Sequence, residues 1–391
     1  MNRTACALLG LALIAVTGCG GEGGRGGVVV DTIGGVPSVM NPDRGVLGDT
    51  VPWELEQYLL VAGDQLYDRK AATFALDVGI LPNGNVMVLD SGNQRVLRFG
   101  PHGEYLGWFG GVGEEPGQFV TPLFLEVAGD RIYVLDSGLN RVTGFDTAGI
   151  FLSRFEIDLA GLAGTTPIFA AGGPDEIYVA AEPVPFLQQA RDTGDAVLYH
   201  MNRNGAVVDT VVTFPPSQWT RVERAEGRAS YVKPRLMPVP RVSASGGAIA
   251  VCLGSVYLIE IREPSGSLVR RVARRYENVA VTPAIRDSVL ERLAQGPAGL
   301  SREALEVVPF AAVVPAIDDV VLDDQGRLWV DVYAGEPTRR DIFDERGRYL
   351  GPLYLPQPVE LEDVRGERAC GVIRELSGQA AVVCYRVTRR R

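Results

Sequence analysis

Between residues 74 and 110 the hydrophobic positions fall into four short runs separated by turn-forming residues. Phe74-Ala75-Leu76-Asp77-Val78 comes first. Pro82-Asn83-Gly84-Asn85 then turns the chain into the continuous apolar run Val86-Met87-Val88-Leu89, and Asp90-Ser91-Gly92-Asn93 turns it again. Arg95-Val96-Leu97-Arg98-Phe99 alternates as a half-buried strand does, and Gly100-Pro101-His102-Gly103-Glu104 leads into Tyr105-Leu106-Gly107-Trp108-Phe109. Period-two runs joined by such turns predict four antiparallel strands, the content of one propeller blade.

The unit recurs. Val-Met-Val-Leu-Asp-Ser-Gly-Asn-Gln-Arg-Val at 86–96 returns as Ile-Tyr-Val-Leu-Asp-Ser-Gly-Leu-Asn-Arg-Val at 132–142. Self-similarity at that spacing marks a stack of small sheets that bury their faces against one another. The Leu-Asp-Ser-Gly-Asn-x-Arg-Val stretch, and the link Gly113-Glu114-Glu115-Pro116-Gly117-Gln118-Phe119, resemble those of NHL-repeat β-propellers. The whole chain resembles the bacterial six-bladed propeller lipoproteins. That likeness implies an all-β, NHL/TolB-like fold with blades near 73–110, 121–157, 166–214, 239–275, 314–355 and 359–391. The last shows three strands, so the isolated β-branched run Val28 to Ile33 is expected to close it as a fourth.

Three segments interrupt the pattern. Blade three carries an insertion around 183–193, and 215–237 is irregular and mostly basic, with Trp219, Arg221, Arg224, Tyr231 and Lys233. The second segment either contacts a partner, a glycan or anionic lipid, or packs over the propeller with Trp219 and Tyr231 as its small core. The third, about 282–306, reads as helical: Thr282 as N-cap, Pro283 behind it, Ile285, Val289 and Leu293 at helical spacing, then Gly296.

Composition adds compartment. Arg3, the apolar run Ala5 to Val16 and Val16-Thr17-Gly18-Cys19 have the form of an export signal. The last four residues resemble the lipobox of bacterial lipoproteins, which implies cleavage after residue 18 and acylation of Cys19; an ordinary secretory signal with a chance cysteine is the alternative. Gly20, in place of an aspartate, implies transfer to the outer membrane, on its periplasmic or surface side. Residues 19–27 are a glycine-rich tether, leaving 28–391 as the propeller. A formal charge of −10, −11 after cleavage, argues against nucleic acid as a partner. A monomer is expected, anchored to the membrane through its lipid and with a protein or peptide partner in the envelope.

Candidate chemistry is sparse. Asp90 and Asp136 share one place in their blades, with Arg95 and Arg141 beside them, and are read as turn residues accepting backbone N–H groups. Their counterparts in blades three to five are read as Ala181, Leu253 and Val332, which removes a symmetric carboxylate site. Cys370 and Cys384 fall opposite each other if the hairpin turns at Leu376-Ser377-Gly378, which permits a disulfide in an oxidising compartment. Cys252 reads as a small buried hydrophobe. Propeller lyases that resemble the NHL group use histidine-bound zinc, but only His102 and His200 occur, at dissimilar positions. No cofactor is expected; calcium, as in lactonase-like propellers, is the one metal left open. The resulting expectation is a recognition or scaffold propeller anchored in the envelope. A small-molecule or glycan binder and a metal-dependent hydrolase or lyase are the alternatives.

Overall fold

A computed structural model describes residues 27–48, 53–62, 76–157, 168–181, 195–215, 220–223, 229–232, 235–295, 301–333, 337–374 and 380–389. Cys19, Trp219, Arg224, Lys233 and the turn 376–378 lie outside these residues, as does the side chain of Tyr231.

Six sheets are arranged as blades, five of four antiparallel strands and one, in blade four, extended to six by an N-terminal hairpin. Their innermost strands are Leu76–Ile80, Pro122–Ala128, Ile168–Gly173, Arg241–Ser245, Asp319–Leu322 and Glu360–Arg365. Each lies against the next and the sixth against the first, closing a ring around a central channel. The core runs between the blades, and continuous apolar runs explain why. Val86–Asp90 and Arg131–Asp136 bury nearly every side chain, because a second strand has a neighbouring blade on either face.

The strand that closes the ring is not Val29–Ile33. Blade six consists of Glu360–Arg365, Arg368–Arg374, Ala380–Arg389 and Trp53–Val61. Residues 53–61 alternate so that Trp53, Leu59 and Val61 are buried, and nine residues match the ten of Ala380–Arg389. Trp53 meets Trp329 of blade five with ring centroids 6.4 Å apart. Val29–Ile33 is all exposed and has no buried face to offer. It forms a hairpin with Val36–Asn41, which pairs in parallel with the outer strand of blade four, Leu268–Arg274. From there residues 42–48 run along blade five, Val46 N donating to the Tyr349 carbonyl and Leu47 N to Leu350. Gly45 is required by this approach: a Cβ there would stand 2.5 Å from the Leu350 carbonyl oxygen. The N-terminal segment is therefore a strap over the outer rims of blades four, five and six.

The two ends of the ring differ. At one end the connections within each blade hold no more than five residues. Asp146, Asn202, Asp323 and Asp344 open four of these turns, each accepting two backbone N–H groups two and four residues on. The other end carries the links between blades, which include a hairpin (Thr220–Glu223 with Ala229–Val232) and the helices Pro283–Ala294 and Arg302–Glu306. Thr282 caps the first helix by accepting from Ile285 N, and Ser301 caps the second. Val222, Leu290, Leu305 and Val308 form a small separate core, so hairpin and helices together make a cap over this end.

Candidate functional site

The wall of the channel gathers most of the unusual charge. Inner strands contribute Asp77 in blade one, Glu126 in blade two, Asp319 in blade five, and Glu360, Glu362 and Asp363 in blade six. Blades three and four contribute alanine, glycine, serine and the single cation Arg241. One side of the wall is thus acidic and the other nearly neutral.

Several of these carboxylates sew adjacent blades together. Asp363 Oδ2 accepts from Ile80 N of blade one at 2.7 Å, and Asp77 Oδ2 accepts from Leu125 N of blade two at 2.8 Å. Glu126 accepts from Ala171 N of blade three. Ser243 Oγ takes the same role between blades four and five, accepting from Leu322 N at 2.9 Å. An inner-strand edge would otherwise leave these N–H groups unpaired.

Burial raises the proton affinity of the acidic wall. It lifts Asp77 to about 7 against the pull of the two amide bonds, and Asp363 to about 6 against Arg365. Glu126 and Glu362 are enclosed by protein while keeping part of their surface open to the channel. They are pushed well above the usual carboxylate range, first by desolvation and then by the charge of Asp77.

At the mouth, Asp331 ends the second strand of blade five and is paired with the buried Arg340 at 2.9 Å. Desolvation lifts Asp331 to about 7 even so, with Asp318, Asp319 and Glu360 adding to the rise. Arg241 donates to the Asp318 carbonyl and lies 3.9 Å from Asp319, while Arg374 holds Glu360 at 2.6 Å. Both signs of charge are therefore available at the rim of the channel, with protonatable carboxyls below. Such a site can bind amines and carboxylates together, and can exchange protons near neutrality.

The register corrects the sequence alignment of the blades. Asp90 lies opposite Arg95, Asp136 opposite Arg141, and Asp331 opposite Arg340, so the counterpart in blade five is Asp331 and not Val332. Seven residues separate Asp331 from the next strand, against four after Asp90 and after Asp136, and this spacing hid the equivalence. The turn roles differ from expectation as well. Asp136 does accept Gly138 N and Leu139 N, and also Val120 N and Thr121 N of the preceding link. Asp90 instead holds side chains, Asn93 Nδ2 and Arg95 Nε, each at 2.8 Å. Arg141 is directed to the carbonyls of Glu114, Glu115 and Gln118, clamping the Gly113–Phe119 link. Its five-donor fork suits a turn of converging carbonyls better than one carboxylate.

The remaining candidates do not converge. Arg221 is exposed on the cap hairpin. Cys370 and Cys384 are joined in blade six, their sulfurs 2.08 Å apart, in the register Arg374↔Ala380 that the hairpin requires. Cys252 is a free, buried thiol. His102 is exposed in an outer turn, and His200 lies with Nε2 3.0 Å from the Asp175 carbonyl in blade three. Among the described residues no three His, Cys, Asp or Glu side chains are placed to hold a metal ion, and no helix is long and apolar enough to cross a membrane.

No protein-family model and no curated protein matches the sequence. Solved structures do resemble the fold. A protein of Bacteroides fragilis inferred to be exported is similar at 10% identity, over 90% of this chain and 100% of its own, with a TM-score of 0.53. Virginiamycin B lyase from Staphylococcus aureus is similar at 10% identity over 85% and 99%, with a TM-score of 0.41. Regucalcin from Agrobacterium tumefaciens, a calcium-binding protein, is similar at 11% identity over 89% and 96%, with a TM-score of 0.40. At these identities the likeness concerns the fold alone. The chain is a six-bladed β-propeller.

Proposed function

We propose that this propeller is an envelope lipoprotein, held by an acylated Cys19, that recognises a protein or peptide at its loop-bearing end. The observation that carries the reading is the asymmetry of the ring. Tight turns close one end, whereas the other presents a cap and a channel mouth where Arg241 and Arg374 stand among Asp318, Asp319, Asp331 and Glu360. A peptide brings both charges and backbone donors and acceptors, and a mouth bearing both signs complements it.

The test is recovery of partners from native membranes with the full-length, C-terminally tagged protein in mild detergent, followed by mass spectrometry. A near-stoichiometric partner that is lost with Asp319→Arg supports recognition at the mouth, and its loss with Cys19→Ser supports the anchor. Recovery unaffected by Asp319→Arg moves the contact elsewhere on the protein. A second reading, acid–base catalysis on a small ligand, is favoured only by the raised proton affinity of the channel carboxyls. It predicts turnover that disappears with Glu362→Gln while the melting temperature is kept.

A further inference from the structure

Among the described residues, the outermost strand of the blade-four sheet, Val29–Ile33, has no strand on its far side. Natural sheets protect such edges with lysine, proline, bulges or a covering segment. This one exposes Val29, Val30 and Ile33 at 58%, 65% and 47%, and the strap adds Met40 at 45% and Val46 at 51%. Val29, Ile33 and Met40 share one face of this hairpin and Val30 lies on the other, so the edge is apolar on both faces, with Val46 farther along the strap. Around them Asp31 and Asp43 are matched by the exposed Arg44 and Arg275, so this rim lacks the negative charge of the chain as a whole.

The patch is also where the anchor must begin. Only residues 20–26 separate Cys19 from Gly27. Fully extended they reach about 30 Å, and as a glycine-rich coil roughly 15 Å. Exposed apolar side chains also occur on the outer strands of blade three (Val207, Val208), blade two (Leu152) and blade one (Tyr105, Leu106, Trp108), and those of blade one lie across the ring. Two opposed four-stranded blades at about 4.8 Å per strand put them about 40 Å away.

We propose that the edge strand Val29–Ile33, with Met40 and Val46, rests in the headgroup layer of the bilayer that holds the acylated Cys19. The propeller then sits rim-on, leaving its loop-bearing end and the aromatic rim of blade one open to partners. This inference rests on the lipid anchor of the preceding reading.

The test uses the mature acylated protein reconstituted in vesicles of phosphatidylethanolamine and phosphatidylglycerol. An environment-sensitive fluorophore is placed through Val30→Cys or, as the control, Trp108→Cys; both native residues are exposed, so the fold tolerates either change. On reconstitution the label at residue 30 is expected to shift to the blue, to be quenched by lipids brominated near the headgroup, and to lose several-fold in iodide quenching. The label at 108 stays open to iodide. Equal iodide quenching at both positions, in protein whose Cys19 is acylated and which floats with the vesicles, overturns the rim contact and leaves the anchor standing. Protein whose Cys19 carries no acyl chain and which does not float overturns the anchor, and this inference with it. A residue-30 label already shielded in detergent, in protein sized as a dimer, assigns the edge to a second copy and overturns the bilayer contact.

Discussion

Blades one and two use the same charged residues as blades four and five, but to opposite ends. In the first pair they act on their own turns and on the link between the two blades. Asp90 reaches Asn93 and Arg95, and Asp136 and Arg141 hold the turn and link beside them. In the second pair they act across blades. Asp341, fully buried, accepts from Tyr257 and Tyr349 hydroxyls and from Arg274 and Arg339. Arg274 lies over both tyrosine rings, 5.5 Å and 4.7 Å from their centroids, and Asn41 of the strap bonds Ala273, Gly347 and Tyr349. Blades one and two are joined at the inner strands by single amide stitches such as Leu125 N to Asp77, whereas Asp341 joins blades four and five through four side chains and Asn41 adds the strap to them.

The difference is broken most severely at Asp341. Asp341→Ala strands a buried guanidinium and two buried hydroxyls, and is expected to cost about 3–5 kcal/mol, read as a lower denaturant midpoint. Asp90→Ala removes a carboxylate whose partner Arg95 is part-exposed, and is expected to cost about 1–2 kcal/mol. Equal losses would mean that the blades are not joined as described. Between these two in size comes blade six. The Cys370–Cys384 bond closes a loop with a sequence separation of 14, for which chain entropy gives about 3 kcal/mol. Cys370→Ala with Cys384→Ala, or reduction of the native protein, should lower the midpoint by that amount. Reductant should then have no further effect on the double variant.

The same contrast explains what could be read from the sequence. The repeat at 86–96 and 132–142, the helix start at Thr282 and the Cys370 register are all local patterns, and local patterns fix turns, caps and hairpins. The strap was misread because Val28 to Ile33 carries high β-propensity, and propensity does not say which sheet a strand joins; the alternation of Trp53, Leu59 and Val61 was the better signal. Asp331 was missed because more residues separate it from the next strand than separate Asp90 and Asp136 from theirs. The acidic wall was legible only in part. Asp77, Glu126, Asp319 and Asp363 each precede valine on a first strand, but that they share one channel follows from ring closure, which no window of sequence contains.

The finest comparison sets Asp77 against Ser243, two side chains that accept an inner-strand amide from the next blade, at 2.8 and 2.9 Å. Only one of them titrates. Asp77 has an ordinary value of 3.8, lifted in the fold to about 7 by burial, so between about pH 4 and 7 the folded state holds a proton that the unfolded chain has released. Stability from this group is fully present below pH 4 and is lost as pH rises through 7. Asp331 and Asp363, lifted to about 7 and 6, act in the same direction. Urea midpoints should therefore fall between pH 5 and pH 7.5, and fall less in Asp77→Asn, which mimics the protonated group. Ser243→Ala should cost about 1 kcal/mol at either pH and leave the slope unchanged. A slope unaltered by Asp77→Asn would show that solvent in the channel already hydrates the carboxylate, and that the amide bond, not the proton, is what this stitch contributes.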